Sequence, residues 1–287
     1  MTESCAPLIV NAALTGMVPT KADTPHVPVT PTEIAADAAR CVAAGASIVH
    51  LHARDESGAP TYRRDVYARI VEAVRFECPD VVVCVSTSGR TFKTFEERAD
   101  VLDLEGDLRP EMASLTLGSL NFPKQASVND PRMIRRLAER MAERGIVPEL
   151  EIFDLGMVDY AVYLLERGIL MPPLYANILL GNLGTLAATP FNLATVVGAL
   201  PGQTTWAAAG IGRFQLAVNS LAIAMGGNVR VGLEDNIWFD EERTELADNA
   251  SLVRRVVRIS AATGRPPASA EDARRLIGLP TRTISTF

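Results

Sequence analysis

The sequence predicts a (β/α)8 TIM barrel, an α/β fold, and three observations carry that expectation. Eight short, β-rich apolar runs recur along the chain with start-to-start spacings of 24 to 39 residues, the rhythm of parallel βα units. Amphipathic helix patterns with capping residues fill the intervals. The G-x-G-x-x-G turn that an open dinucleotide-binding sheet places after its first strand is missing there. At 287 residues, 48% of them hydrophobic, the chain has the size of one closed barrel. Folded around one core it would bury roughly three quarters of its unfolded surface.

The strands are expected at LIVNAAL (8–14), SIVHLHA (47–53), VVVCVST (81–87), MASLTLG (112–118), VPELEIF (147–153), LYANILLG (174–181), TTWAAAGI (204–211) and NVRVGLE (228–234). Among the helices, TPTEIAADAARCVAAG (30–45) opens on a Thr-x-x-Glu capping pattern and closes on Gly45, the residue type of a left-handed C-cap. DPRMIRRLAERMAERG (130–145) repeats the scheme, with Asp130 as N-cap and Pro131 in the first turn. The glycine clusters GNLG (181–184) and GIG (210–212) follow the sixth and seventh strands, where barrels often hold a phosphate. No linker, low-complexity block or internal repeat intervenes, so one domain spanning 1–287 is expected, with a C-terminal helical tail from about 247.

Composition removes several classes of function. A net charge of −6 argues against a nucleic-acid-binding protein. The four cysteines, Cys5, Cys41, Cys78 and Cys84, have no C-x-x-C spacing, as expected of reduced thiols in a cytoplasmic protein. No run approaches the roughly 18 apolar residues of a membrane span, and MTESCAPLIV is not a signal peptide, so a soluble, unexported chain follows. Only three histidines occur, His26, His50 and His52, which excludes any mechanism needing four imidazoles. Lys21, Lys93 and Lys124 are the only lysines, leaving little choice for a Schiff base. His26 lies in the Pro-rich stretch TPHVPVTP, the composition of a solvated loop.

Barrel enzymes carry their chemistry at the carboxyl ends of the strands, and here those ends are polar. The second run ends in His50 and His52, the third in Ser86 and Thr87, and the fourth carries Ser114 and Thr116. The fifth carries Glu149 and Glu151, and the eighth carries Arg230 followed by Glu234 and Asp235. Two histidines two residues apart on a strand point to one face, with Cβ atoms about 6.5 to 7 Å apart. They either hydrogen-bond polar partners at the barrel mouth or converge on one ion. A carboxylate would complete a His₂Glu set that suits zinc with an open position. Glu149, Glu151, Glu234 and Asp235 are the candidates, and the two strand-five glutamates could instead pair with Arg230. Closure of a ring brings the eighth strand near the second, which favours Glu234 and leaves the adjacent Asp235 free to act as a base.

The strings NAALTG (11–16), AGASIVHLHARD (44–55), STSG (86–89), PEMASLTLGSLNF (110–122), PELEIFDLGMVD (148–159), WAAAGIGR (206–213) and GGNVRVGLEDN (226–236) resemble the β-keto acid cleavage enzymes, whose type member acts on 3-keto-5-aminohexanoate. The resemblance runs from about residue 7 to 280. It implies a zinc-dependent barrel, another divalent ion being the alternative, that converts a β-keto acid and acetyl-CoA into acetoacetate and a new acyl-CoA. It places the metal ligands on His50, His52 and Glu234, the acid-base pair on Asp235 and Arg230, and substrate contacts on Ser86, Ser114, Thr116 and Glu151. It also suggests a homo-oligomer, a tetramer.

The implied chemistry is enolate formation beside the metal, Claisen condensation, transfer of coenzyme A and retro-Claisen cleavage. No lysine is required. A free aspartate near pKa 3.9 is a weak base for this task, so the metal must acidify the substrate strongly. Where the type member has a glutamate for its substrate's ammonium group, this chain has Val18, which predicts an uncharged or apolar acyl tail next to Met17 and Val18. Thr116 likewise replaces an asparagine. Arg90 and Arg213 are candidates for coenzyme A phosphates. An amidohydrolase would need more histidines than the chain has; a Claisen-type acyl-CoA lyase without acetyl-CoA, and a non-catalytic acyl-CoA- or metal-binding barrel, are the other readings.

Overall fold

A computed structural model of the chain describes residues 6–280. Its eight parallel strands are β1 (Val10–Ala13), β2 (Ile48–Leu51), β3 (Val82–Val85), β4 (Met112–Thr116), β5 (Val147–Ile152), β6 (Leu174–Leu180), β7 (Thr204–Gly210) and β8 (Asn228–Val231). Each pairs with its neighbours in chain order, and β8 returns to pair with β1, closing the barrel. The expected (β/α)8 fold is therefore present. The helices are α1 (Pro31–Ala44), α2 (Arg64–Glu77), α3 (Phe95–Ala99), α4 (Pro131–Arg144), α5 (Leu155–Glu166), α6 (Pro190–Ala199), α7 (Gln215–Ala224), α8 (Asn249–Ala262) and α9 (Ala270–Ile277). None is long and apolar enough to cross a membrane.

Local signals act as the sequence suggests. Thr30 caps α1 by accepting from the Glu33 N–H while Glu33 reaches back, and Gly45 ends the helix at φ 113°. Asp130 accepts from the N–H groups of Arg132 and Met133 at the start of α4, which stops at Gly145 with φ 64°. The glycines after β6 and β7 have a packing reason. A Cβ on Gly181 would lie 2.4 Å from the Phe214 ring, and one on Gly210 would lie 2.2 Å from the Phe214 carbonyl.

All eight strands are shorter than their apolar runs, and in two of them the difference takes site residues off the ladder. The second ends at Leu51, so His52 stands just beyond the ladder and leads into a hairpin pairing Ala53–Arg54 with Pro60–Thr61. The eighth ends at Val231 because Gly232 turns the chain at φ 158°, where a Cβ would lie 2.1 Å from the Ala13 carbonyl oxygen. Glu234 and Asp235 consequently sit on a turn, tied back by the Glu234 N–H donating to that same carbonyl at 3.2 Å.

The helices beyond 247 do two things. α8 packs on α1, β1 and β8, and Asn249 in its first turn fastens the seam of the barrel. Its amide donates to the Leu14 carbonyl (3.0 Å) and to Asp37 (2.6 Å), while its oxygen accepts from the Leu233 N–H (2.8 Å). α9 lies under the amino ends of the strands. Ala273 and Ile277 pack with Ile9, Ile48, Val82, Met112 and Tyr175 from the barrel interior, and Arg274 donates to Glu111 at 2.6 Å just ahead of β4. Burial of a side chain the size of Ile277 contributes about 2 kcal/mol.

Asn249→Leu removes three buried hydrogen bonds and leaves their partners without water. It is expected to lower the unfolding free energy by about 2–4 kcal/mol, read as a lower urea midpoint with an unchanged slope.

A candidate metal centre at the mouth of the barrel

The site grows from one fully buried guanidinium. Arg230, on β8, is 1% exposed. Its Nε meets Asp235 Oδ2 at 3.0 Å and its Nη2 meets Asp235 Oδ1 at 3.2 Å, a two-pronged contact. Nη2 also meets Glu234 Oε1 at 2.7 Å, and Nη1 faces Glu151 on β5 at 3.5 Å. Glu234 lies four positions after Arg230, and the turn at Gly232 folds both acids back over it.

His50 and His52 approach the same carboxylate from β2. Their rings are 5.2 Å apart. His52 Nε2 is 3.2 Å from Glu234 Oε1, and His50 Nε2 is 4.0 Å from Glu234 Oε2. Both members of that second pair are buried with no hydrogen-bond partner. A tetrahedral ion with bonds of about 2.0–2.1 Å holds its ligand atoms about 3.3 Å apart, and the three ligand atoms here lie within 4.8 Å of one another. Two orphaned polar atoms and a donor set of two imidazoles and a carboxylate fit a divalent metal. Gly16, at φ 64°, allows the fit: a Cβ there would lie 2.6 Å from Glu234 Cγ.

Beneath His50 lies a group that sequence reasoning did not resolve. Glu149 is fully buried. One of its oxygens accepts from Asn11 Nδ2 and Asn177 Nδ2, each at 2.6 Å. The other faces His50 Nδ1 at 2.7 Å and the Cys84 thiol at 3.4 Å. Glu149 therefore fixes the Nδ1–H tautomer of His50 and aims Nε2 at Glu234, the arrangement common behind metal-ligating histidines. His50, Cys84 and Glu149 also lie close enough to suggest a second ion, but hydrogen bonds already satisfy them. Burial, reinforced by Glu149, pushes the Cys84 thiol up and keeps it protonated.

The electrostatics separate two adjacent carboxyls. Burial opposes ionisation of Glu234, yet Arg230 and both histidines hold it well below the usual carboxylate range. Burial pushes Asp235 up despite Arg230. Glu151 is likewise raised by burial against the pull of Arg230. His52 is lowered by burial, whereas Glu149 and Glu234 overcome the burial of His50 and raise it. The result is an ionised ligand beside a carboxyl of raised proton affinity.

The remaining sequence candidates divide. Ser86 Oγ accepts from the Ser88 N–H at 3.2 Å, and Ser114 Oγ from the Thr87 N–H at 3.1 Å, which leaves each hydroxyl proton free. The Thr116 hydroxyl donates to Glu151 at 2.6 Å. Val18 stands apart from this cluster, 53% exposed on the loop after β1. Met17, His52, Tyr62, Ser86 and Phe92 line a small cleft beside His52. Arg213 is exposed, and His26 is exposed on the loop preceding α1. The Glu149 cage was hidden because Asn11, Cys84, Glu149 and Asn177 sit on four different strands. Only the register of the closed ring brings them together; the pairing of Asn177 with Glu151 and Tyr175 with Glu149 is part of it.

Glu149→Gln preserves volume but loses the charge behind His50. Metal affinity is expected to fall about 10- to 100-fold, measured by competition with a chromogenic chelator.

The 3-keto-5-aminohexanoate cleavage enzyme of Fusobacterium nucleatum subsp. nucleatum is 39% identical, over 95% of this chain and 98% of that one. The 3-oxoadipate:acetyl-CoA acetyltransferase of Cupriavidus necator is 37% identical, over 99% and 98% respectively. The apo structure of ObcA shares the fold with a TM-score of 0.80 at 22% identity, over 89% of this chain and 66% of that one. Residues 7–279 match the family described as beta-keto acid cleavage enzyme, and the chain belongs to that family.

Proposed function

We propose that the protein is a zinc-dependent enzyme that converts a β-keto acid and acetyl-CoA into acetoacetate and a new acyl-CoA. The observation that carries this reading is the pair of adjacent acids on the β8 turn, Glu234 set against His50 and His52 and Asp235 gripped at both oxygens by Arg230. The names of relatives support it: one is a 3-keto-5-aminohexanoate cleavage enzyme and one a 3-oxoadipate:acetyl-CoA acetyltransferase.

His50, His52 and Glu234 would hold the zinc, which would supply Lewis acidity toward a ketone and acidify the carbon beside it. Asp235 takes the proton from the carbon between the ketone and the carboxylate. Burial makes its carboxylate a stronger base than a free aspartate. Arg230 keeps both of its oxygens in place. The free hydroxyl protons of Ser86 and Ser114 are donors for substrate oxygens, while Thr116 is engaged in orienting Glu151. The carbon nucleophile attacks the acetyl carbonyl and expels the coenzyme A thiolate. The thiolate adds to the original ketone carbon, the bond to the neighbouring carbon breaks, and Asp235 returns its proton to the departing acetoacetate. Atoms and charge balance without a redox partner or a lysine.

The test is an assay of purified enzyme for acetoacetate from a panel of β-keto acids, with and without acetyl-CoA and with and without zinc. Turnover is expected only with both. Activity that survives omission of acetyl-CoA would assign the barrel to the lyases instead.

Asp235→Asn is expected to lower kcat by at least about 10²- to 10⁴-fold while bound zinc, measured by elemental analysis, stays near one per chain. Retained turnover would remove Asp235 from the mechanism. At position 18 the chain offers no anion. A β-keto acid with an ammonium on its tail is therefore expected to show a lower kcat/KM than its non-amino counterpart, by up to about 5-fold at this exposed position. Equal values would show that Val18 does not govern the tail.

A further inference from the structure

Arg90 stands four residues beyond Ser86, on the loop that leaves β3 at the mouth of the barrel. Its guanidinium carbon sits 3.5 Å from the centre of the Phe122 ring. Phe122 packs edge-on against Phe153, at the end of β5, with centroids 6.1 Å apart. The aromatic pair fixes the guanidinium over the β3–β5 sector, which also supplies Ser86, Ser114 and Glu151.

The side chain is half-buried and its hydrogen bonds are unmade. Nε is buried with no partner, and among the described residues no carboxylate comes within ion-pair distance of the group. Arg98, eight residues further on, shows the contrast. Its three nitrogens are engaged by the Thr87 carbonyl, the Val128 carbonyl and Asn129 Oδ1. A half-buried guanidinium stacked on an aromatic ring but with its N–H groups lacking acceptors is costly. Burial lowers the pKa of Arg90, opposed by Glu234, Glu151 and Asp235. An arriving oxyanion would remove that cost, and a carboxylate matches the planar fork.

Within the function proposed above, the ketone and carboxylate that react are taken up at the metal site beside Asp235. An oxyanion at Arg90 then belongs to the far end of the acyl tail or to a phosphate of coenzyme A. The half-buried position beside the carboxylate cluster favours the tail, since a phosphate in solvent meets exposed cations such as Arg213. We propose that Arg90 binds a second carboxylate at the end of the acyl tail, so that the preferred β-keto acid is a dicarboxylate. This replaces the uncharged tail that Val18 alone suggests; both readings agree in excluding an ammonium group.

The experiment compares a straight-chain β-keto monoacid with the diacid of the same carbon count, using the zinc-loaded full chain. The wild-type enzyme is expected to prefer the diacid in kcat/KM. Arg90→Met keeps the apolar stem on Phe122 and is expected to reduce that preference about 10- to 100-fold, with Arg90→Lys intermediate and the thermal midpoint of each variant recorded. Calorimetric titration of the same proteins with both acids, without acetyl-CoA, reads the contact independently of turnover. A preference that survives in Arg90→Met, or equal affinities in the wild type, overturns the proposal. A rise confined to the KM for acetyl-CoA also overturns it and moves Arg90 to coenzyme A. Tighter binding of the diacid through Arg90 without any turnover would sink the proposed reaction and leave the carboxylate site standing.

Discussion

A guanidinium closed off from water at the centre of a barrel has to be matched by anions, and the arrangement around Arg230 follows from that need. The stem leaves β8 pointing inward, and the compensating charge comes from two directions. Glu151 arrives from β5, while Glu234 and Asp235 are swung over from the turn that Gly232 permits. Removing any one of these acids leaves a buried cation undermatched, which costs far more than a surface ion pair is worth. The same geometry differentiates the acids. Glu234 is shared between Arg230 and the two imidazoles and stays ionised, whereas Asp235 has Arg230 alone and is raised by burial.

How much of this is legible in the sequence depends on the range of the interaction. The barrel can be read because each βα unit writes its own local signal: an apolar run, a Thr30 or Asp130 cap, a Gly45 or Gly145 stop. The pairing of His50 with His52 can be read because a strand repeats every two residues. Glu234 could only be favoured by assuming ring closure, and the closed ladder between β8 and β1 supplies what that assumption required.

The apolar runs overstate the strands at their carboxyl ends. Burial continues past the last ladder hydrogen bond at both His52 and Leu233, so hydrophobicity alone does not mark where pairing stops. The cage around Glu149 is not written locally at all. Asn11 and Asn177 are ordinary strand residues until the register turns their amides toward one oxygen, and Cys84 reads as an incidental small thiol until it is seen donating to the other. Thr116 is a similar case. As a substitution for asparagine it suggested a change in substrate contacts, but its hydroxyl is engaged by Glu151.

α9 gives the barrel a floor. Ala273, Ile277 and the inward residues of the lower strands fill that end with apolar side chains. The site sits at the opposite end of the barrel, where His52, Ser86, Glu234 and Asp235 lie. The loops that carry them, those after β2, β3 and β8, border the ion site and the reactants of the proposed reaction alike. A substitution in those loops therefore bears on ion and reactants at once, and a change in turnover there need not reflect a change in the chemistry below.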